Sequence, residues 1–292
     1  MGLRTKLNLL LLVVGTLGAI LFAILSTLYL ERLAEEEVEQ NARIMMASAA
    51  GVRKYTSEEI APLLLEEEQT QFHPQAVSAY AAVRNFAVLH EQFPDYSYRE
   101  PALNPTNLQD RATDWEADII QYFRANLSKS EDIRHRETLK GQVMHLSHPI
   151  RAEKPCLVCH NTPQRAPATM LAQYGANNGF GWKPNEIIGA QIVSAPMEVA
   201  FDRVSRIRRF FLGIYFLVFV VLAGVLNAGL ALIVTRPVRM MLRIAESVSL
   251  GRHGTPEFKR RGSDEIARLG QSFTRMRRSL EQAMRRLETH GD

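Results

Sequence analysis

Lys154-Pro155-Cys156-Leu157-Val158-Cys159-His160-Asn161 is the stretch on which the reading of this chain turns. Cys156, Cys159 and His160 form a C-x-x-C-H, the pattern by which a c-type haem is attached covalently. The spacing serves that chemistry. Two thiols add across the two vinyl groups of one porphyrin, and the adjoining imidazole turns to the iron as proximal ligand. Both cysteines of the 292-residue chain lie in this motif, so no other thiol competes for them. Three other chemistries use the same residue types. A redox C-x-x-C pair needs a thioredoxin-like strand-to-helix setting, which Pro155 and the turn residues around it do not supply. A zinc site needs four ligands, and the sequence offers neither a second C-x-x-C nor a regularly spaced His pair. A disulfide between cysteines three apart closes too small a loop to stabilise much. One covalent haem c is the reading favoured.

Outward from the motif, two apolar runs set the layout: residues 9–30 and 210–234. Each is long enough to cross a hydrocarbon core, which takes about 20 residues as a helix. Their polar members, Thr16, Ser26, Thr27 and Asn227, are few and uncharged. Arg4 and Lys6 would serve as the basic n-region of a signal peptide. The run behind them exceeds a usual h-region and lacks an A-x-A-like cleavage site before Glu31, so an uncleaved anchor is expected. Arg4 and Lys6 precede the first run and Glu31, Glu35, Glu36 and Glu37 follow it, which puts the N-terminus in the cytoplasm. Arg203, Arg206, Arg208 and Arg209 run against that rule, at the end of a long translocated loop where the rule is weak. The expected order is a cytoplasmic N-terminus at 1–8, a span at 9–30, an outer haem domain at 31–209, a span at 210–234 and a cytoplasmic tail at 235–292. The tail carries 13 Lys and Arg against 7 Asp and Glu, the outer segment 20 against 24. The basic balance is therefore an inner-surface feature, with no nucleic-acid signature. An outer location in a bacterial inner membrane also suits haem c, whose attachment takes place on that side.

Within 31–209 the first helix is expected to run on to about residue 68, with Val38, Ala42, Met45, Ala49 and Val52 as its packed stripe. Pro62 and Glu66-Glu67-Glu68 mark its end. Residues 93–107 read as loop. Residues 115–127 read as a helix with Trp115, Ile119, Tyr122 and Phe123 on one side and Thr113 or Asp114 as cap. Residues 141–150 and 187–194 read as strands, Val143 and His145 pointing one way and Met144 and Leu146 the other. A glycine-rich turn at 175–182 separates the motif from the second strand, and residues 197–209 resume a helical pattern into the second span. This order predicts an α+β, PAS- or Cache-like sensing domain between two transmembrane helices.

Val52-Arg53-Lys54-Tyr55, His148-Pro149-Ile150 leading to Cys156-Leu157-Val158-Cys159-His160, Gly181-Trp182-Lys183 and Gly189-Ala190-Gln191-Ile192-Val193 together resemble a known family. It is that of bacterial membrane sensors with an outer haem-c domain of the Tll0287-like type, and the resemblance covers roughly residues 31–200. Some relatives place a cysteine as second iron ligand, and this chain has none to spare. A Met thioether, a second His or an open position for a gas would take its place. The candidates are Met45, Met46, Met144, His145 and His148, of which Met46, Met45 and His145 stand first. Met45 lies on the packed stripe and Met46 a step off it, which makes Met46 the more available.

In the tail, Arg236-Pro237-Val238 opens a helix with proline where its missing N–H costs nothing. Val238, Met241, Ala245 and Val248 repeat at three and four, and Gly251 ends the helix. A connector with Gly254, Pro256 and Phe258 follows, then Ser263 as cap of a second helix. Ile266, Leu269, Phe273, Met276, Leu280, Ala283 and Leu287 keep a three-four alternation that needs a partner in water. Pro237, Phe258 and Asp264-Glu265 resemble the marks of a HAMP domain, which implies a parallel four-helix bundle from two chains and hence a homodimer.

These readings together predict a signal-transducing sensor of redox state or a small gas, not an enzyme. With no kinase, cyclase or methyl-accepting segment after residue 287, the relay is expected to reach a separate cytoplasmic effector of kinase, cyclase or chemoreceptor type, unless the chain is a shortened relative. The competing class is a membrane-anchored c-type cytochrome carrying electrons, which leaves the heptad tail without a purpose.

Overall fold

The apolar run at the start of the chain passes into an amphipathic pattern without a breaker, and the result is one helix, α1 (Leu3–Tyr55). The computed structural model describes residues 2–64, 70–139, 141–250, 258, 262 and 264–289. Past Tyr55 the helix does not simply fray. A five-residue π turn, Thr56–Ile60, leads into α2 (Ala61–Leu64), which contains Pro62. Proline lacks an N–H and crowds the carbonyl four residues back, and a widened turn relieves both faults. The same device recurs before the tail, where a π turn at Ala231–Thr235 precedes Pro237. Residues 65–68 of the expected helix lie outside the described residues.

Two compact units divide the chain: residues 25–208, and residues 1–24 with 209–292. The first is built on a four-stranded antiparallel sheet. Its strands follow α3 (Ser78–Gln92) as β1 (Ser97–Arg99), then, after α4 (Asp114–Ala125), β2 (Asp132–Thr138) and β3 (Gly141–Arg151). After α5 (Cys156–His160) and α6 (Ala168–Tyr174) comes β4 (Ile187–Pro196). The spatial order is β1-β4-β3-β2, so the two strands legible by alternation form the centre. The expected loop at 93–107 is corrected by β1, whose three residues pair with Ile192, Val193 and Ser194.

Alternation assigns the two faces of the sheet. On one, Met144, Leu146, Val193 and Ala195 meet Val38, Ala42, Met46 and Ala49 of α1 and Ala82 and Phe86 of α3. On the other, Ile187, Ala190 and Ile192 meet Ile119, Ile120 and Phe123 of α4. Ile187 joins Ala190 and Ile192 because a bulge between Ile150 and Arg151 shifts the pairing there. Thr113 caps α4 in a capping box: Glu116 Oε2 accepts from the Thr113 backbone N–H and hydroxyl, each at 2.8 Å. Arg99 donates to Glu116 Oε1 at 2.9 Å, so this fully buried carboxylate is paired.

In the second unit the part of α7 (Glu198–Leu230) from residue 209 onward lies against the start of α1. Tyr215 donates its hydroxyl to the Gly15 carbonyl at 3.0 Å and stacks on Phe22, while the Phe219 ring fills the space a side chain at Gly15 would need. Two helical stretches, Arg4–Leu64 and Glu198–Ser249, contain runs long and apolar enough to cross a membrane, and the side chains of those runs stand almost wholly exposed. The tail forms α8 (Arg236–Ser249) and α9 (Glu265–Thr289). Met241, Ile244 and Ala267 are buried, and the Phe258 ring packs on Gly270. Leu269, Met276 and Leu280 stay about half exposed or more. Ser263, Ala283 and Leu287 lie outside the residues whose side chains are described; at the start of α9 it is Asp264 Oδ1 that accepts the Ala267 N–H, at 2.6 Å.

Candidate functional site

The C-x-x-C-H forms the single turn α5 after β3. Residues three and four apart share a helix face, so Cys159 and His160 both lie on the face of Cys156. Neither cysteine is in a disulfide, and both are partly exposed. The base of the loop is pinned to the approach to β4: Ala152 donates its N–H to the Glu186 carbonyl at 2.8 Å and accepts from Asn185 at 2.9 Å.

His160 is held from three directions. Its Nδ1 lies 2.8 Å from the Gly179 carbonyl and 3.3 Å from Thr106 Oγ1. Its ring stacks on Trp182, with centroids 4.0 Å apart and planes within 16°. A carbonyl can only accept, so Nδ1 carries the proton and Nε2 keeps its lone pair. Burial lowers the pKa of the imidazole, partly opposed by the Gly179 carbonyl, and so favours the neutral ring.

Two loops supply these partners. Residues 101–106 are stitched to β4, Pro101 accepting from Ala190 at 3.0 Å and Leu103 donating to Ile188 at 3.4 Å. Asn104 Oδ1 then accepts the Gly179 N–H at 3.2 Å. The glycine-rich turn closes on the motif itself, with Gly181 donating to the Asn161 carbonyl and Trp182 to that of His160. Gly179 has φ +80°, and an added Cβ would stand 2.8 Å from the Thr106 Cα. Only glycine suits both demands.

These residues fit a porphyrin fastened through two thioethers. Two thiols outside any disulfide lie one turn apart, and the neighbouring imidazole has its far nitrogen engaged by a backbone carbonyl, the usual arrangement for a metal-binding histidine. Among the described residues no three His, Cys, Asp or Glu side chains converge as ligands of a bare metal ion.

The second-ligand candidates are scattered. Met46 is in the core between α1 and the sheet, at 3% exposure, with Met144 beside it, and Met45 packs at its edge. The expectation that Met45 is the core residue and Met46 the available one is thus reversed. On a 3.6-residue helix Met46 lies about 40° to one side of Ala42 and Met45 about 60° to the other. His145 lies on the opposite face, its ring on Trp115 with centroids 4.5 Å apart and its Nδ1 2.8 Å from Ser194 Oγ. Its Nε2 and the Ser147 hydroxyl are buried without a hydrogen-bond partner. His148 Nε2 lies 3.2 Å from Glu131.

Sequence reasoning missed Thr106 and Asn104, which sit in polar loop without periodicity, and the clamp on Arg53. Arg53 pairs with buried Glu100, which also accepts from the Tyr98 hydroxyl at 2.7 Å. The lone acid amid Tyr98, Arg99 and Pro101 was the available signal.

Residues 31–196 match the family described as Tll0287-like (Tll0287), and residues 229–282 match the HAMP domain. A solved structure, that of the cyanobacterial heme-protein Tll0287, is similar at 16% identity and a TM-score of 0.44. The similarity covers 55% of this chain and 95% of that one. No curated protein matches the chain.

Proposed function

The chain belongs to the Tll0287-like family and carries a HAMP domain, and from that premise we propose that it is a transmembrane haem-c sensor of redox state or a small gas. The observation that carries the reading is the union, in one chain, of a Tll0287-like domain with a module of signal transduction. Cys156 and Cys159 would hold the porphyrin as two thioethers, each thiol adding to a vinyl group with no leaving group. His160 binds iron through Nε2, oriented by Gly179 and Thr106. When bound, the haem supplies an iron whose ligation and charge respond to electrons or to gases such as NO and CO. A second ligand, unless that position is open to a gas, would be Met46 or Met45 on the α1 face or His145 on the α4 face.

The PAS- or Cache-like domain faces the periplasm, between spans at 9–30 and 210–234 in the bacterial inner membrane, with both termini in the cytoplasm. Output passes from β4 into α7, which is unbroken from Glu198 to Leu230. The exposed Leu269, Met276 and Leu280 seam of α9 is closed by a second copy in a homodimeric bundle. That bundle exchanges between two packings and is read by a separate effector. The chain performs no catalysis of its own in this scheme.

The test is the absorption spectrum of purified full-length protein, oxidised and reduced, with and without NO and CO, beside signalling by a chain lacking residues 238–292. A spectrum that responds to electrons or gas, with signalling lost on truncation, is expected. A haem spectrum with signalling untouched by truncation would leave an electron carrier instead.

A further inference from the structure

Pairing between β2 and β3 stops at Asp132 and Ser147, so the last turns of β3 run free of that neighbour. A cleft of about 320 Å3 opens there. His148 and Arg151 of β3 and Gln191 of β4 form one side, and Ser128, Lys129 and Ser130 from the turn after α4 form the other. Among the described residues lining it, none is acidic.

Arg151 is fixed on the cleft wall by one Nη2–H donated to the Leu127 carbonyl at 2.6 Å. A guanidinium has five N–H donors in a rigid fork, so this anchor uses one and aims the rest. Lys129 stands exposed on the facing turn. The acid beside the cleft in sequence, Glu131, is already committed. Arg43 donates to its two oxygens at 2.6 and 2.8 Å, and His148 Nε2 lies at 3.2 Å. Burial pushes the Glu131 carboxyl up, but the hydrogen bonds from Arg43 and His148 outweigh it and keep the group ionised. Two cations thus share a concavity with no carboxylate among the described residues that line it.

We infer that this cleft binds a small organic carboxylate. Arg151 takes it by the bidentate geometry that suits a planar carboxylate, Lys129 adds a mobile charge, and the Ser128 and Ser130 hydroxyls and the Gln191 amide satisfy the remaining polar atoms. The volume is at the small end of ordinary ligand pockets, which selects short mono- and dicarboxylates. The inference does not rest on the haem reading. The sensing domain would then take a chemical input besides the one at the C-x-x-C-H motif.

The test is calorimetric titration of full-length protein in detergent with succinate at low salt, with acetate and phosphate in parallel. Saturable one-to-one succinate binding is expected, weakened at least tenfold in Arg151→Gln and about threefold in Lys129→Gln. Lys129 is exposed, so its variant keeps the test open should Arg151→Gln fold poorly by circular dichroism. A second arm separates the two sources of a carboxylate. If succinate does not bind but Arg151→Gln lowers the haem midpoint potential, the carboxylate is a porphyrin propionate, which overturns the assignment of a second chemical input while supporting the haem reading. A protein without haem leaves the titration arm intact. Equal binding by wild type and both variants, phosphate bound in preference to either carboxylate, or no binding with an unmoved potential would each overturn the assignment.

Discussion

His160 and His145 are both withdrawn from water, yet the chain holds them by opposite means. His160 sits on a one-turn helix with Nδ1 against a backbone carbonyl, which dictates its tautomer. His145 sits inside the sheet, almost fully buried, with Nδ1 against the Ser194 hydroxyl, a group that donates or accepts equally well. The first imidazole is prepared to offer a lone pair; the second is packed, its Nε2 without a partner. Burial alone therefore does not mark a ligand. What sets His160 apart is a far nitrogen whose proton has been assigned by the fold.

The widest separation between the two comes from their removal. His160→Ala should abolish the native visible spectrum, read by absorption of the folded protein, while His145→Gln should leave the pigment attached to Cys156 and Cys159, read by its retention on the polypeptide through acid–acetone extraction. A second contrast lies in stability against pH. Burial first, then Arg136 and His135, push the His145 pKa down to about 4 from the ordinary 6.5. The unfolded chain then binds more protons than the folded one between those values, so stability is full above about pH 6.5 and falls as pH drops towards 4. The loss should reach roughly 3 kcal/mol, and His145→Gln should flatten the profile in denaturant titrations.

Gly179→Ala sharpens the comparison from the side of His160. A side chain there meets positive φ and the Thr106 backbone together, a cost of about 2–3 kcal/mol. Gly175→Ala, at φ +79° and ψ −179° with open space around it, meets backbone strain alone, which should cost about 1–2 kcal/mol. A thermal-melt difference between the two variants measures the crowding at Gly179, and only the first should disturb the spectrum. The smallest effect belongs to the His145 side. Thr113→Ala removes the cap of α4, which carries Trp115 over His145, and should lower stability by about 1 kcal/mol without a spectral change.

The difference in legibility follows similar lines. β3 and β4 were readable because they are apolar and alternating, as central strands must be. β2, Asp-Ile-Arg-His-Arg-Glu-Thr, carries one apolar residue and pairs only at the edge, so its strand state is conferred by β3 rather than by its own composition. α3 carries only a short signal, Ala82, Val83, Phe86 and Leu89 at three-four spacing, between two polar stretches. At the site, Cys156, Cys159 and His160 announced themselves by spacing. Thr106, Asn104 and the Gly179 carbonyl did not, because backbone groups and loop polar residues become specific only when the chain folds them against the motif. Helical periodicity likewise assigned Met45 and Met46 the wrong way round, since both fall within the arc that a stripe covers.

The central claim is that one porphyrin is joined to this chain through Cys156 and Cys159. Intact and peptide mass spectrometry of the mature full-length protein tests it most directly. The account predicts the polypeptide plus the mass of one haem, carried on the peptide containing residues 154–161, with neither thiol open to alkylation. A polypeptide at its unmodified mass, with Cys156 and Cys159 both alkylated, would contradict it.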